Sequence, residues 1–306
     1  MNRREFMGGA TVFSLMRGGV FPRLSADTVI PLTLVDGLPC TSVMIEGKGP
    51  YPFLVATAQT FFNIGGDLAR SLNLQPQPGP YKGITVTGDS RFDVFRAGDL
   101  TLGDSFRIAD VLFLAQRAFD EGPYKGCLRF ITEASTAMDF EAGRMTLLRD
   151  NPVPPSGAAS ARIVRASAAV FAKVPAIRVE LDGRPLTLIV NTGLGQGIQL
   201  NPQAVERLGL WDAYEQGVDA VEDLETGQVQ TRTVRAGTLN IAGFPVPDPA
   251  LRMLRSPQVV NGRLLAGDGE LGMDVLRRFQ IGFDVDKELV WFTPNAGTQA
   301  PAASPG

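Results

Sequence analysis

The chain of 306 residues contains no histidine, and only two cysteines and two tryptophans. Without an imidazole, Ser-His-Asp and Cys-His catalysis are excluded. The usual histidine-based zinc sites go with them, and two thiols cannot build a four-thiolate site. An excess of one charge is also missing: 29 Lys and Arg stand against 32 Asp and Glu, a net charge of −3. There is therefore no basic footprint for nucleic acid. No apolar run reaches the ~20 residues that span a bilayer. Chemistry is left to carboxylates, hydroxyls, amides and lysines, and nothing points to a cofactor. What is present is a chain 44% hydrophobic and 20% charged, able to bury a sizeable core. Its 34 glycines and 22 prolines imply many turns, as in an all-β protein. The length fits one large domain or two of ordinary size.

At the start, Arg3-Arg4 and Phe6 precede a modestly apolar run, Gly8 to Met16. The pattern resembles a twin-arginine export signal over residues 1–26, with Leu24-Ser25-Ala26 the best cleavage candidate. A periplasmic or secreted destination follows from that resemblance. In such an oxidising compartment Cys40 and Cys127 can pair, and two buried free thiols are the alternative.

The remainder reads as one unit written twice. Gly49 to Ala58 matches Gly183 to Gly193: a turn, an apolar strand and a triplet with a central threonine. Arg96-Ala97-Gly98 matches Arg235-Ala236-Gly237, and Gly126-Cys127-Leu128 matches Gly269-Glu270-Leu271. Each copy closes with an acidic turn and a strand, Asp139 to Leu147 and Asp284 to Phe292. Four blocks in one order make an internal duplication. The copies occupy 27–150 and 171–294. A Pro, Gly, Ser and Ala-rich linker fills 151–170, and a small, proline-bearing tail follows over 295–306. Ile177 to Asp182 alternates apolar with polar, as a half-buried strand does. Helix is sparse: Pro202 to Leu210, capped by Asn201, and Gly272 to Phe279.

The strand-then-triplet pattern, followed later by Leu271-Gly272-Met273-Asp274, resembles the retropepsin-like aspartyl protease family over roughly residues 30–294. That resemblance implies an all-β fold of two similar barrel lobes across a cleft. It also implies flap hairpins with tips near Thr87-Gly88-Asp89 and Glu225-Thr226-Gly227, threonines that brace the loops by hydrogen bonds, and a peptide in the cleft as partner. In the family each triplet opens with an aspartate, and two carboxylates share one proton. Here the triplets are Ala56-Thr57-Ala58 and Asn191-Thr192-Gly193. Alanine offers nothing polar, and asparagine hydrogen-bonds but does not titrate. The first copy is further eroded, with Leu128-Arg129-Phe130 in place of Leu-Gly-Met.

The resemblance thus implies a degenerate dyad and an inactive protease that retains a peptide groove. One alternative is an active endopeptidase whose acids lie elsewhere, with Asp67 and Asp89 as candidates. The other is a structural module whose cleft is filled by Phe61 and Phe62. Asp274 reads as a support residue for Arg277 or Arg278 rather than as an acid. Gly193 to Gly197 lacks the Gly-Lys-Ser/Thr of a phosphate loop. A Schiff-base role for Lys173 has no support.

Overall fold

The computed structural model describes residues 19–79, 81–85, 88–129, 133–150, 152–164, 174–224, 227–255 and 267–296. The expected all-β class is what it shows, with 25 strands and a few short helices among the described residues.

Eight strands of the first half form one sheet, in the order Thr33–Val35, Leu38–Ile45, Lys48–Val55, Gly126–Leu128, Phe62–Ile64, Phe106–Ala115, Val94–Leu102 and Gln75–Pro76. Pairing of Val43 with Leu102 and of Ile45 with Leu100 closes it into a barrel. Barrel closure removes open strand edges, which otherwise invite aggregation. Phe53, Phe62 and Phe113 fill the interior, with ring centroids 6.2 and 6.0 Å apart at edge-on angles. Such edge-to-face packing suits the ring quadrupole.

The second half repeats this connectivity in a nine-stranded sheet. Its Arg184–Val190 strand runs parallel to Gly269–Leu271, as Lys48–Val55 runs parallel to Gly126–Leu128. Leu54 faces Cys127 in one half, and Ile189 faces Glu270 in the other. The duplication read from the sequence is therefore present in the strand register. Ala176–Leu181 buries alternate residues, as its polar-apolar alternation requires.

A third sheet belongs to both halves. Its order is Thr28–Pro31, Arg144–Leu148, Ser135–Asp139, Phe279–Asp284, Leu289–Pro294 and Ala159–Arg162. The halves meet in it through Thr136↔Phe283 and Met138↔Ile281. Ala159–Arg162 lies within the stretch set down as linker, yet it pairs with Leu289–Pro294 along a full edge. Backbone hydrogen bonds on an open edge outweighed its turn-like composition.

Residues 1–18 of the expected export signal lie outside the described residues. The rest of that stretch is packed against the first half. Val20 exchanges backbone hydrogen bonds of 2.7 and 3.1 Å with Ala109. The Phe21 ring lies 6.5 Å from Phe62 and 6.4 Å from Phe106, under the Arg129 guanidinium at 4.5 Å. No helix among the described residues is long and apolar enough to cross a membrane.

Of the two states open to them, Cys40 and Cys127 adopt that of buried free thiols. They sit on either side of Leu54, each facing it from a neighbouring strand. Two strand spacings of ~4.8 Å put their Cα atoms beyond the ~7 Å that a disulfide tolerates. Burial pushes both thiols up to about 12; Asp36 adds to this at Cys40, and at Cys127 the Ala56 backbone pulls the other way. Neither thiol is expected to react with an alkylating reagent in the native protein at neutral pH. Both are expected to react after unfolding, with no mobility difference between reducing and non-reducing gels.

Candidate functional site

Lys48–Val55 and Arg184–Val190 become fully apolar and buried toward their ends, and each delivers its triplet into the interface between the halves. The two triplets turn alike. The Gln59 N–H donates to the Ala56 carbonyl at 3.1 Å, and the Leu194 N–H donates to the Asn191 carbonyl at 3.2 Å.

Thr57 and Thr192 are buried at 1% and 0% exposure and face one another. The Thr57 N–H donates to the Thr192 hydroxyl oxygen at 3.1 Å, and the Thr192 N–H donates to that of Thr57 at 3.2 Å. Each hydroxyl then donates to a carbonyl of the opposite strand, Thr57 to Val190 and Thr192 to Val55. Every donor in the pair is thus used, which is the condition for burying polar groups without a large desolvation cost.

Above this pair stand Ala56 and Asn191. They are close: a methyl group added to Gly193 would stand 2.7 Å from Cβ of Ala56 and 3.1 Å from Oδ1 of Asn191. Glycine at 193 is therefore a steric requirement of the contact between the loops. The Gly193 N–H donates to Asn191 Oδ1 at 2.8 Å. That bond fixes the amide, because only oxygen can accept from a backbone N–H. Asn191 Nδ2 then donates to Glu270 Oε2 at 2.8 Å. Asn191, Gly193 and Glu270 all keep partial exposure, whereas the two threonines below them are buried.

Glu270 was not among the residues singled out from the sequence. Its signal was available: it is a charged residue at the centre of Gly269–Leu271, a strand whose other members are buried. Burial raises its carboxyl above the usual carboxylate range, and the Asn191 hydrogen bond opposes that rise. Cys127, equally central in Gly126–Leu128, holds the matching place in the first half.

The support segments differ between the copies. Gly272 packs under the second loop, where its N–H donates to Gly197 O and the Met273 N–H donates to Leu194 O, both at 2.7 Å. A Cβ at 272 would run into the carbonyls of Gln196 and Leu194. Arg129 stands at the matching place of the first copy, over the rings of Phe21 and Phe62 and paired with Glu133 at 2.5 Å.

Of the other expected residues, Thr57, Ala56, Asn191, Thr192 and Gly193 come together as described. Ala58 is partly buried and packs with Val174, Ala176 and Ile189. Hairpins form where flaps were expected, at Tyr81–Thr85 with Gly88–Phe92 and at Val218–Leu224 with Gly227–Arg235. Gly88, Asp89 and Gly227 begin the return strands or lie just inside them. Thr87 and Thr226 lie outside the described residues, as does Lys173. Asp67 is exposed and paired with Arg70 at 2.6 Å. Asp274 pairs with Arg277 at 3.3 Å, as a support residue would. Among the described residues no group of three His, Cys, Asp or Glu side chains is placed to hold a metal. No protein-family model matches the chain, and no curated protein matches it.

Two outcomes follow. Thr57→Val or Thr192→Val should each cost about 1–3 kcal/mol, the penalty for leaving a buried partner unmet. The double variant should cost clearly less than the sum, because both substitutions break the same set of bonds. Urea denaturation of the three variants measures this. For Glu270, the folded chain holds the proton more tightly than the unfolded chain. Stability must therefore decline as pH rises from the ordinary glutamate range through that of Glu270. Glu270→Gln is expected to be more stable than the wild type at neutral pH, with the difference closing in acid. Thermal melts across pH test it.

Proposed function

We propose that the chain is a retropepsin-like aspartyl protease scaffold that has lost proteolysis and holds an extended peptide in a groove between its halves. The observation that carries this reading is the reciprocal Thr57–Thr192 pairing, directly beneath loops that present Ala56 and Asn191 where the family presents two aspartates. General acid–base catalysis is worth ~10²–10⁴-fold, and neither residue titrates. Extended-strand recognition rests on main-chain hydrogen bonds and needs no catalytic carboxylate. The paired hairpins support it as covers for such a strand. The Arg3-Arg4 leader supports export to the periplasm.

One observation favours a second reading, an active peptidase: Glu270 is a carboxyl beside the Asn191 amide. A single carboxyl does not reproduce a dyad that needs one ionised and one protonated member at once. Against the filled-cleft reading stand Phe62, buried with its ring 6.0 Å from Phe113, and Phe61, packed beside Val94 and Leu114.

Purified protein is expected to capture peptides from an unbiased library in acid, and to cleave none at acid or neutral pH. Pepstatin-sensitive cleavage by the wild type overturns the reading. The double variant Ala56→Asp/Asn191→Asp should gain acid-pH cleavage about 10²-fold above that background. Asn191→Asp alone should stay at background.

A further inference from the structure

The polar groups at the site continue across the second half as a row. Glu270 and Gln199 are directly opposite in neighbouring strands, and Gln199 is opposite Arg252 in the next. Arg252 donates to Gln199 Oε1 at 2.6 Å and is paired with Glu222, whose other oxygen accepts from Thr231 at 3.2 Å. The reverse face of these strands is the core, with Ile198, Leu200, Leu251, Met253 and Leu271 all at 0% exposure. The polar row therefore lies on the face turned away from the core.

Along this row the charges are unequally served. Arg252 and Glu222 neutralise each other. Glu270 has the Asn191 amide as its one partner, and no cation is paired with it among the described residues. The strand on its other side brings Ile189, and the Ala56–Ala58 loop brings nothing titratable. The group at the matching place of the first half, Cys127, is a thiol that stays neutral at ordinary pH. A carboxylate here has a neutral hydrogen-bond donor and no counter-charge. A carboxylic acid here keeps that same bond through its carbonyl oxygen and gains an O–H donor.

We propose that Asn191 and Glu270 form a pH-gated clasp for a main-chain carbonyl of an extended peptide. The inference rests on the peptide-groove reading and adds to it the group that grips and the condition for release. Protonated Glu270 donates its O–H to the ligand carbonyl while Asn191 holds the carboxyl in place from behind. Ionisation removes the donor and sets a negative oxygen against the carbonyl dipole. Peptide is taken up in acid and released as the pH rises. No bond is made or broken; one proton leaves Glu270 for solvent.

The test is fluorescence anisotropy with a fluorescein-labelled random-peptide pool, titrated from acid to neutral pH. Wild-type affinity should fall about tenfold across that range, the worth of one neutral hydrogen bond. Glu270→Gln keeps the shape and the acceptor for Asn191, has a permanent donor, and should hold its affinity at neutral pH with a flat profile. Glu270→Asp keeps a titrating group and should retain a pH dependence. Wild-type binding that ignores pH, or a Glu270→Gln profile that tracks the wild type, overturns this inference and leaves the groove reading standing. Wild-type binding at no pH overturns both.

Discussion

The interface between the halves is organised by two threonines. Each hydroxyl gives its proton to a carbonyl of the other half and takes one from the other half's backbone. That arrangement needs a short side chain carrying both a donor and an acceptor, and it needs nothing from the residue before it. The geometry that brings positions 56 and 191 together is therefore independent of what those positions carry. An acid can become alanine or asparagine without loosening the joint. Had the joint run through the acids themselves, Ala56 would have left a buried hole with unmet donors around it.

Around that fixed joint the copies have diverged in different directions. The second keeps the close backbone packing that only glycine allows, Gly272 under its loop and Gly193 against Ala56. The first has Arg129 where the second has Gly272, and its long side chain lies over Phe21 and Phe62, tying Phe21 to the barrel. The second half carries the polar row Glu270, Gln199 and Arg252, where the matching places of the first half hold the Cys127 thiol, the Asn63 amide and Leu114. The asymmetry has a direct chemical effect: the charged groups of the row come from one half.

Most of the fold was legible before the structure, for reasons that particular residues make plain. The triplets, the Asn201 cap and the alternation at Ile177 to Leu181 are local patterns, and local patterns survive in a single sequence. Asn201 does accept from the Ala204 N–H, at 2.9 Å. The strand Ala159–Arg162 was hidden because its cause is remote: an open edge at Leu289–Pro294 that no nearby residue announces. Glu270 was hidden for a related reason. Its sequence neighbours say only that it is a charge in a short apolar strand, and its meaning comes from Asn191, just past the end of the adjoining strand. The fate of the two cysteines was likewise a matter of which strand lay between them.

The sheet shared by the halves imposes an order on how the chain can finish folding. Ser135–Asp139 and Arg144–Leu148 are made early, but the strand that covers Ser135–Asp139 is Phe279–Asp284. A chain emerging from its N-terminus can close the first barrel by local contacts and must then wait, with one hydrogen-bonding edge bare, while the whole second half is synthesised. Pairings so distant in sequence are slow, and bare edges recruit other strands. The vulnerable species in the life of this protein is thus the half-made molecule, and the last strands to appear act as the seal on the first.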